Sequence, residues 1–287
     1  SPAMLWYLDG RVNRRRNDGE MPNENYAREL LELHTLGVDG GYTQQDVMEI
    51  ARCLTGWTVR SEEAFYKGRI EFRRDWHDDG AKTVLGQTIP AGGGERDLDR
   101  VLEIVARHPS TARHVAMKLC ARFVSDDPPE EAVASTASAF AESGGDIRAT
   151  LRSLLNSECF RNARGTKLKR PFRYVASALR GTGADTDGGP ALLEYLNRMG
   201  HAPYQYPTPD GYPDERGPWL GTLLWRWHLA AALAQNSIEG TRIDWDGLAG
   251  SFGGPRKATA HLLGRRPRPD ETRSFALALA SPAFQRH

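Results

Sequence analysis

Along most of the chain, apolar positions recur every three or four residues, the interval that lines one face of a helix. The clearest run is 23–37, in which Tyr26, Leu30 and Leu33 share a narrow sector and are expected to form a buried face. Asn23 offers a cap at its start, and Gly37 offers a left-handed stop at its end. In the next run Thr43 and Asp46 have the spacing of a capping box, and Val47, Ile50, Leu54 and Trp57 make a second apolar stripe. The two runs are expected to pack as a helical hairpin, preceded by a short helix over 3–8.

From 58 to 90 the period changes. Thr58-Val59, Ile70-Glu71-Phe72 and Thr83-Val84-Leu85 predict short strands, hence a small β-hairpin insertion. Helices then resume over 97–107 and 111–124, the latter with Val115, Leu119 and Phe123 inward. A third is opened by Asp127-Pro128-Pro129-Glu130, and Asp146 caps a fourth that carries Leu151, Leu154 and Leu155. Pro171 opens a helix through Leu179, and the Gly-rich break at 181–189 is expected to be mobile. A proline and tyrosine segment, 204–213, leads to a long helix over 219–234 with Trp225 and Trp227 expected in the core. Helices at 257–263 and 273–279 close the chain. The expected fold is mainly α, a multi-helix, bundle-like single domain over 1–287 with the insertion at 58–90.

Bulk properties remove several function classes. Apolar residues at 39% and charged residues at 26% describe an ordinary soluble globule. A formal net charge of +1 gives no bulk attraction to nucleic acid, and no apolar run reaches the ~20 residues of a membrane span. Arg14-Arg15-Arg16 and Arg265-Arg266 are local basic clusters, read as solvated loop charge ahead of an anionic partner. Cys53, Cys120 and Cys159 are too few and too irregular for a disulfide scaffold or a zinc ribbon. Gly92-Gly93-Gly94 lacks the Lys-Ser/Thr of a phosphate loop, and no serine-hydrolase elbow, dinucleotide loop or zincin motif occurs.

Carboxylate and histidine chemistry survives. On the 23–37 helix Arg28 lies four residues from both Glu24 and Glu32, so those three can neutralise one another. Glu29 has Asn25, Tyr26, Glu32 and Leu33 as helical neighbours and no local cation. A carboxyl so placed is expected to hold its proton more tightly and to suit a general acid. Glu29, Glu32 and His77 are therefore the candidate catalytic groups. Asn25, Arg28 and Trp57, with Tyr206, Asp210 and Tyr212 of the aromatic loop, are the candidate ligand contacts. His77 with Asp78 or Asp79 leaves a metal site incomplete, so no metal and no cofactor is expected.

The run 23–37, continued by Tyr42-Thr43 to Trp57, resembles the bacterial family called domain of unknown function 1800. The stretch from His77 through Lys82 to Gly86, His108-Pro109-Ser110-Thr111-Ala112-Arg113, Phe123 to Pro129 and Lys167 to Pro171 agree with it, and the resemblance covers nearly the whole chain. It implies that an N-terminal portion is missing and that the setting is secreted or periplasmic. It implies no activity. Two readings of function follow. One is an exported, carboxylate-dependent hydrolase of a glycan or similar polymer. The other is a non-catalytic envelope protein that binds a polysaccharide or a protein partner.

Overall fold

A computed structural model describes residues 1–15, 21–60, 68–272 and 274–287. Arg16 of the first basic cluster, part of the 58–90 insertion and Arg273 of the last expected helix lie outside them. The fold is mainly α, and the sheets among the described residues are three two-stranded antiparallel pairs. The chain divides into two compact units. One comprises Ser1–Cys120 and Pro129–Asn156, the other Ala121–Pro128 and Ser157–His287.

In the first unit the helix Gln44–Cys53 is closed at its start by the expected capping box between Thr43 and Asp46. Val47, Ile50, Ala51 and Cys53 are fully buried, together with Ala27, Leu31 and Val84 of neighbouring elements. Strand Trp57–Val59 pairs with Ile70–Phe72, and Lys82–Val84 pairs with Gln87–Ile89. Among the described residues the insertion thus holds two strand pairs, and the last strand, Gln87–Ile89, is one that the sequence pattern does not reveal. Asp146 caps helix Ile147–Leu155 as expected, its side chain accepting from the Ala149 N–H.

The 23–37 run departs from its expectation in an instructive way. It is α-helical over Asn25–Glu29 and then widens to a π-helical turn over Leu30–His34. Gly37, at φ 87°, turns the chain so that its N–H donates to the Leu31 carbonyl at 2.9 Å, while Thr35 Oγ1 donates to the Leu30 carbonyl at 2.6 Å. The buried face lies one position on from the expected one, already at Ala27 ahead of the wider turn. Ala27 and Leu31 are the sealed residues, whereas Tyr26, Leu30 and Leu33 are only half-buried. A side chain at position 37 would also strike the His114 ring, so the glycine is required twice over. In helix Pro109–Phe123 the buried stripe is Ala112, Ala116 and Cys120 rather than Val115, Leu119 and Phe123. Small residues at i, i+4 and i+8 give the closer approach.

In the second unit helix Pro171–Thr182 buries Tyr174, Val175, Ala178 and Thr182 against Leu196, Leu229, Leu233 and Leu279. The 181–189 break carries backbone hydrogen bonds to a later segment. Asp185–Thr186 pairs with Thr241–Arg242, and the Asp187 N–H donates to the Gly240 carbonyl. The long helix runs Leu223–Ala234 after a 3₁₀ stretch, Gly217–Thr222. Trp225 packs at the edge of the core, but Trp227 is 53% exposed, contrary to its expected burial.

Candidate functional site

The sequence-selected residues fall in both units. In the first, Arg28 sits 2.7 Å from Glu24, 3.2 Å from Glu32 and 2.6 Å from Gln44 Oε1. Glu32 has a second partner in Tyr42, whose hydroxyl is pushed up to about 12 by burial and then by its hydrogen bond to Glu32. Glu29 is half-buried and has a partner of its own. Asn25 is exposed and donates to Asp9 at 3.3 Å. Trp57 lies 5.2 Å from the Phe72 ring, which lies 5.2 Å from His77.

His77 belongs to a sealed ionic hub. Its ring is 1% exposed, with Nδ1 2.9 Å from the Thr55 carbonyl and Nε2 3.2 Å from Asp97 Oδ2. The same Asp97 oxygen receives the Lys82 ammonium at 2.6 Å, and that ammonium also meets the Asp78 carbonyl. Asp97 itself is 1% exposed. A Cβ on Gly93 would lie 1.9 Å from Asp97 Oδ1, so this glycine leaves room for the carboxylate instead of cradling a phosphate. Buried charges of this kind are tolerated when each is paired and hydrogen-bonded. The arrangement fixes the insertion to helix Arg96–Ala106.

Around the hub, Arg52 grips Asp78 through Nε at 2.8 Å and Nη2 at 3.1 Å, and reaches Glu49 at 2.9 Å. Glu49 in turn accepts from the Thr83 N–H. Burial works against ionised Asp78, but the Arg52 guanidinium and the Gly80 N–H outweigh it and hold the acid below its ordinary value of 3.8. A depressed carboxyl contributes stability that is present above pH 3.8 and is lost as the pH falls through its folded value. Asp78→Asn is therefore expected to flatten the acid limb of stability against pH below about 4, measured by urea unfolding at stepped pH. An unchanged limb would remove Asp78 from acid stability.

In the second unit, Tyr206 and Tyr212 have ring centroids 4.7 Å apart, and Tyr212 lies 4.4 Å from His201, which stacks on Trp219 at 4.9 Å. Burial first, then Arg170 and Arg226, push the His201 imidazole down to about 4, and its Nδ1 accepts from the Phe172 N–H. The loop is fastened at several points. Tyr212 donates to the Ala202 carbonyl, Arg170 donates to the Tyr212 carbonyl, and Asp214 meets Arg170 at 3.2 Å and Arg122 at 3.4 Å. Asp210 is exposed and accepts from Thr208.

A larger feature of this unit is not legible in the sequence pattern. Two adjoining cavities, of about 890 and 590 Å³, share Lys169, His261, Leu262 and His287. Arg164, Arg265, Arg268 and Arg286 line the first, and Arg173 and Arg180 line the second. Glu271 is the lining carboxylate, and Arg265 holds it at 2.5 Å. Lys169 stands 4.2 Å over the Phe284 ring, and burial pushes its ammonium down to about 8. Arg173 Nη1 lies 2.7 Å from His287 Nε2. The chemistry on offer is anion capture by several guanidinium groups, most of them exposed to solvent, in an open recess. Its signal in the sequence was faint. Arg173 and Arg180 share the outward side of the helix that buries Tyr174 and Ala178, and Arg265 reads as loop charge.

Among the described residues no group of three or more His, Cys, Asp or Glu side chains could hold a metal ion, and no helix is long and apolar enough to cross a membrane. A family model described as "Protein of unknown function (DUF1800)" matches residues 1–286. No curated protein and no solved structure matches the chain.

Proposed function

The chain belongs to the DUF1800 family, and on that footing we propose that it is a binding protein for an anionic polymer, working in a secreted or periplasmic setting. The observation that supports this reading is the groove of the second unit, walled by cations whose one lining carboxylate is already neutralised. Such a recess raises the local concentration of anions and holds them by charge-assisted hydrogen bonds.

The hydrolase reading has less support. Glycoside cleavage calls for two available carboxyl groups. Glu32 is engaged by Arg28 and Tyr42, and His77 is closed off from solvent. A glycan-cleaving activity that disappears in Glu29→Gln at unchanged melting temperature would restore it.

The binding reading is tested with fluorescently labelled dextran sulfate and neutral dextran, titrated against the protein at several salt concentrations. The sulfated polymer is expected to bind with an affinity that falls steeply with salt, as ion release demands. Arg173→Glu combined with Arg268→Glu is expected to weaken it by at least about tenfold, the factor that 1.4 kcal/mol sets. Equal binding of both dextrans, or no loss in the double variant, would overturn the proposal.

A further inference from the structure

The two lobes differ in what lies between their charges. Leu262, Leu263, Pro282 and Ala283 line the first beside its arginines, and Phe172, Leu262 and Phe284 line the second. A bare chain of phosphates has no surface to set against these carbons. A nucleic-acid strand would want free aromatic faces for its bases. The Phe284 face is occupied by the Lys169 ammonium, and the other apolar walls are aliphatic apart from Phe172, which is 47% exposed. Sugar rings, by contrast, present C–H faces to aliphatic and aromatic walls while their acidic substituents point outward.

Lys169 is the cation common to both lobes. Among the described residues its ammonium has a ring beneath it and no carboxylate partner. A half-buried cation in that state gains most from an incoming anion. Each lobe by itself has the volume of a small-molecule pocket, so a ligand laid across both is larger than a single sugar ring.

We infer that the groove takes an acidic oligosaccharide laid across both lobes, with carboxylate or sulfate groups on either side of Lys169 and sugar faces against the exposed Pro282 and Phe172. The inference rests on the anion-binding reading above and names its ligand. Uronate carboxylates and sulfate esters share the chemistry, and separate probes distinguish them.

The test titrates the whole chain with a galacturonate hexamer, a sulfated galactose hexamer, the neutral galactose hexamer, inorganic polyphosphate and oligothymidylate. At least one acidic hexamer is expected to bind about tenfold more tightly than polyphosphate or oligothymidylate, and the neutral one is expected not to bind. Phe172→Ala, at an exposed position, is expected to weaken the acidic hexamer severalfold while leaving polyphosphate unchanged. Lys169→Met is expected to weaken every anion. Should Lys169→Met fail to fold, Arg180→Gln at the surface takes its place with the same expectation. Polyphosphate or oligothymidylate binding as well as the acidic hexamers, with Phe172→Ala silent, would overturn the oligosaccharide inference and leave anion binding standing. Failure of every anion to bind would remove both.

Discussion

Asp97→Ala lowers the stability of the first unit by about 3–5 kcal/mol, read as a shift of its urea midpoint at unchanged slope. The magnitude follows from what the variant strands. Lys82 keeps its ammonium in a site from which water is excluded and loses its 2.6 Å carboxylate partner, while His77 loses the acceptor for one ring nitrogen. An uncompensated buried charge costs far more than a mispaired surface one, whose partner is solvated and whose loss costs at most about 1 kcal/mol. The control is a double variant, Lys82→Met with Asp97→Leu, which removes both charges and is expected to recover part of the loss. A drop below about 1 kcal/mol for Asp97→Ala would mean that the hub contributes little to holding the insertion. Trp57 and Trp76, which flank it, supply the fluorescence signal.

Tyr174 separates packing from hydrogen bonding in the second unit. Its ring is wholly buried, edge-on to Phe284 at 5.9 Å and under the Arg226 guanidinium at 5.3 Å. Its hydroxyl donates to the carbonyls of Arg226 at 3.0 Å and Leu279 at 3.2 Å. Tyr174→Ala empties a ring-sized space in a core that cannot fully collapse, at a cost of about 3–5 kcal/mol. Tyr174→Phe keeps the ring and deletes one donor shared by two carbonyls, at about 1–2 kcal/mol. The pair of values, from urea unfolding, tells whether the core rests on shape or on this polar tie. Because Arg173 and Arg180 ride on the same helix, Tyr174→Ala is also expected to weaken dextran sulfate binding, and Tyr174→Phe to leave it intact. Equal losses in both variants would mean that the ring contributes nothing by its volume.

Local signals in the sequence were reliable where the physics is local. The Thr43 and Asp46 box, the Asp146 cap and the Gly37 stop need only a few consecutive residues, and each appears as read. The buried face of the 23–37 run falls one position on from the stripe of its largest apolar residues, because Ala27 and Leu31 are the ones that join the core with Val47 and Ile50, a tertiary choice the period alone does not carry. Hydrophobicity alone places Trp227 in the core, yet its helix is apolar almost all round and cannot bury every side. His77 stands out in the sequence for its chemistry beside two aspartates. Its partners Lys82 and Asp97 come from a later strand and helix, and no spacing rule connects them. The groove was least legible. Its cations come from Arg164 to Arg180 and again from His261 to His287, two stretches brought together only by the fold.

The interleaving of the two units along the chain bears on how the polypeptide is made. Helices Glu130–Glu142 and Ile147–Leu155 belong with the first unit, although 121–128, assigned to the second, emerges before them. During synthesis the first unit therefore cannot close until residue 156 has left the ribosome, and in the meantime a short piece of the second waits without its mates. Expression of 1–120 alone would yield a nascent body lacking two helices, and a single cut after residue 156 would leave 121–128 parted from the rest of the second unit.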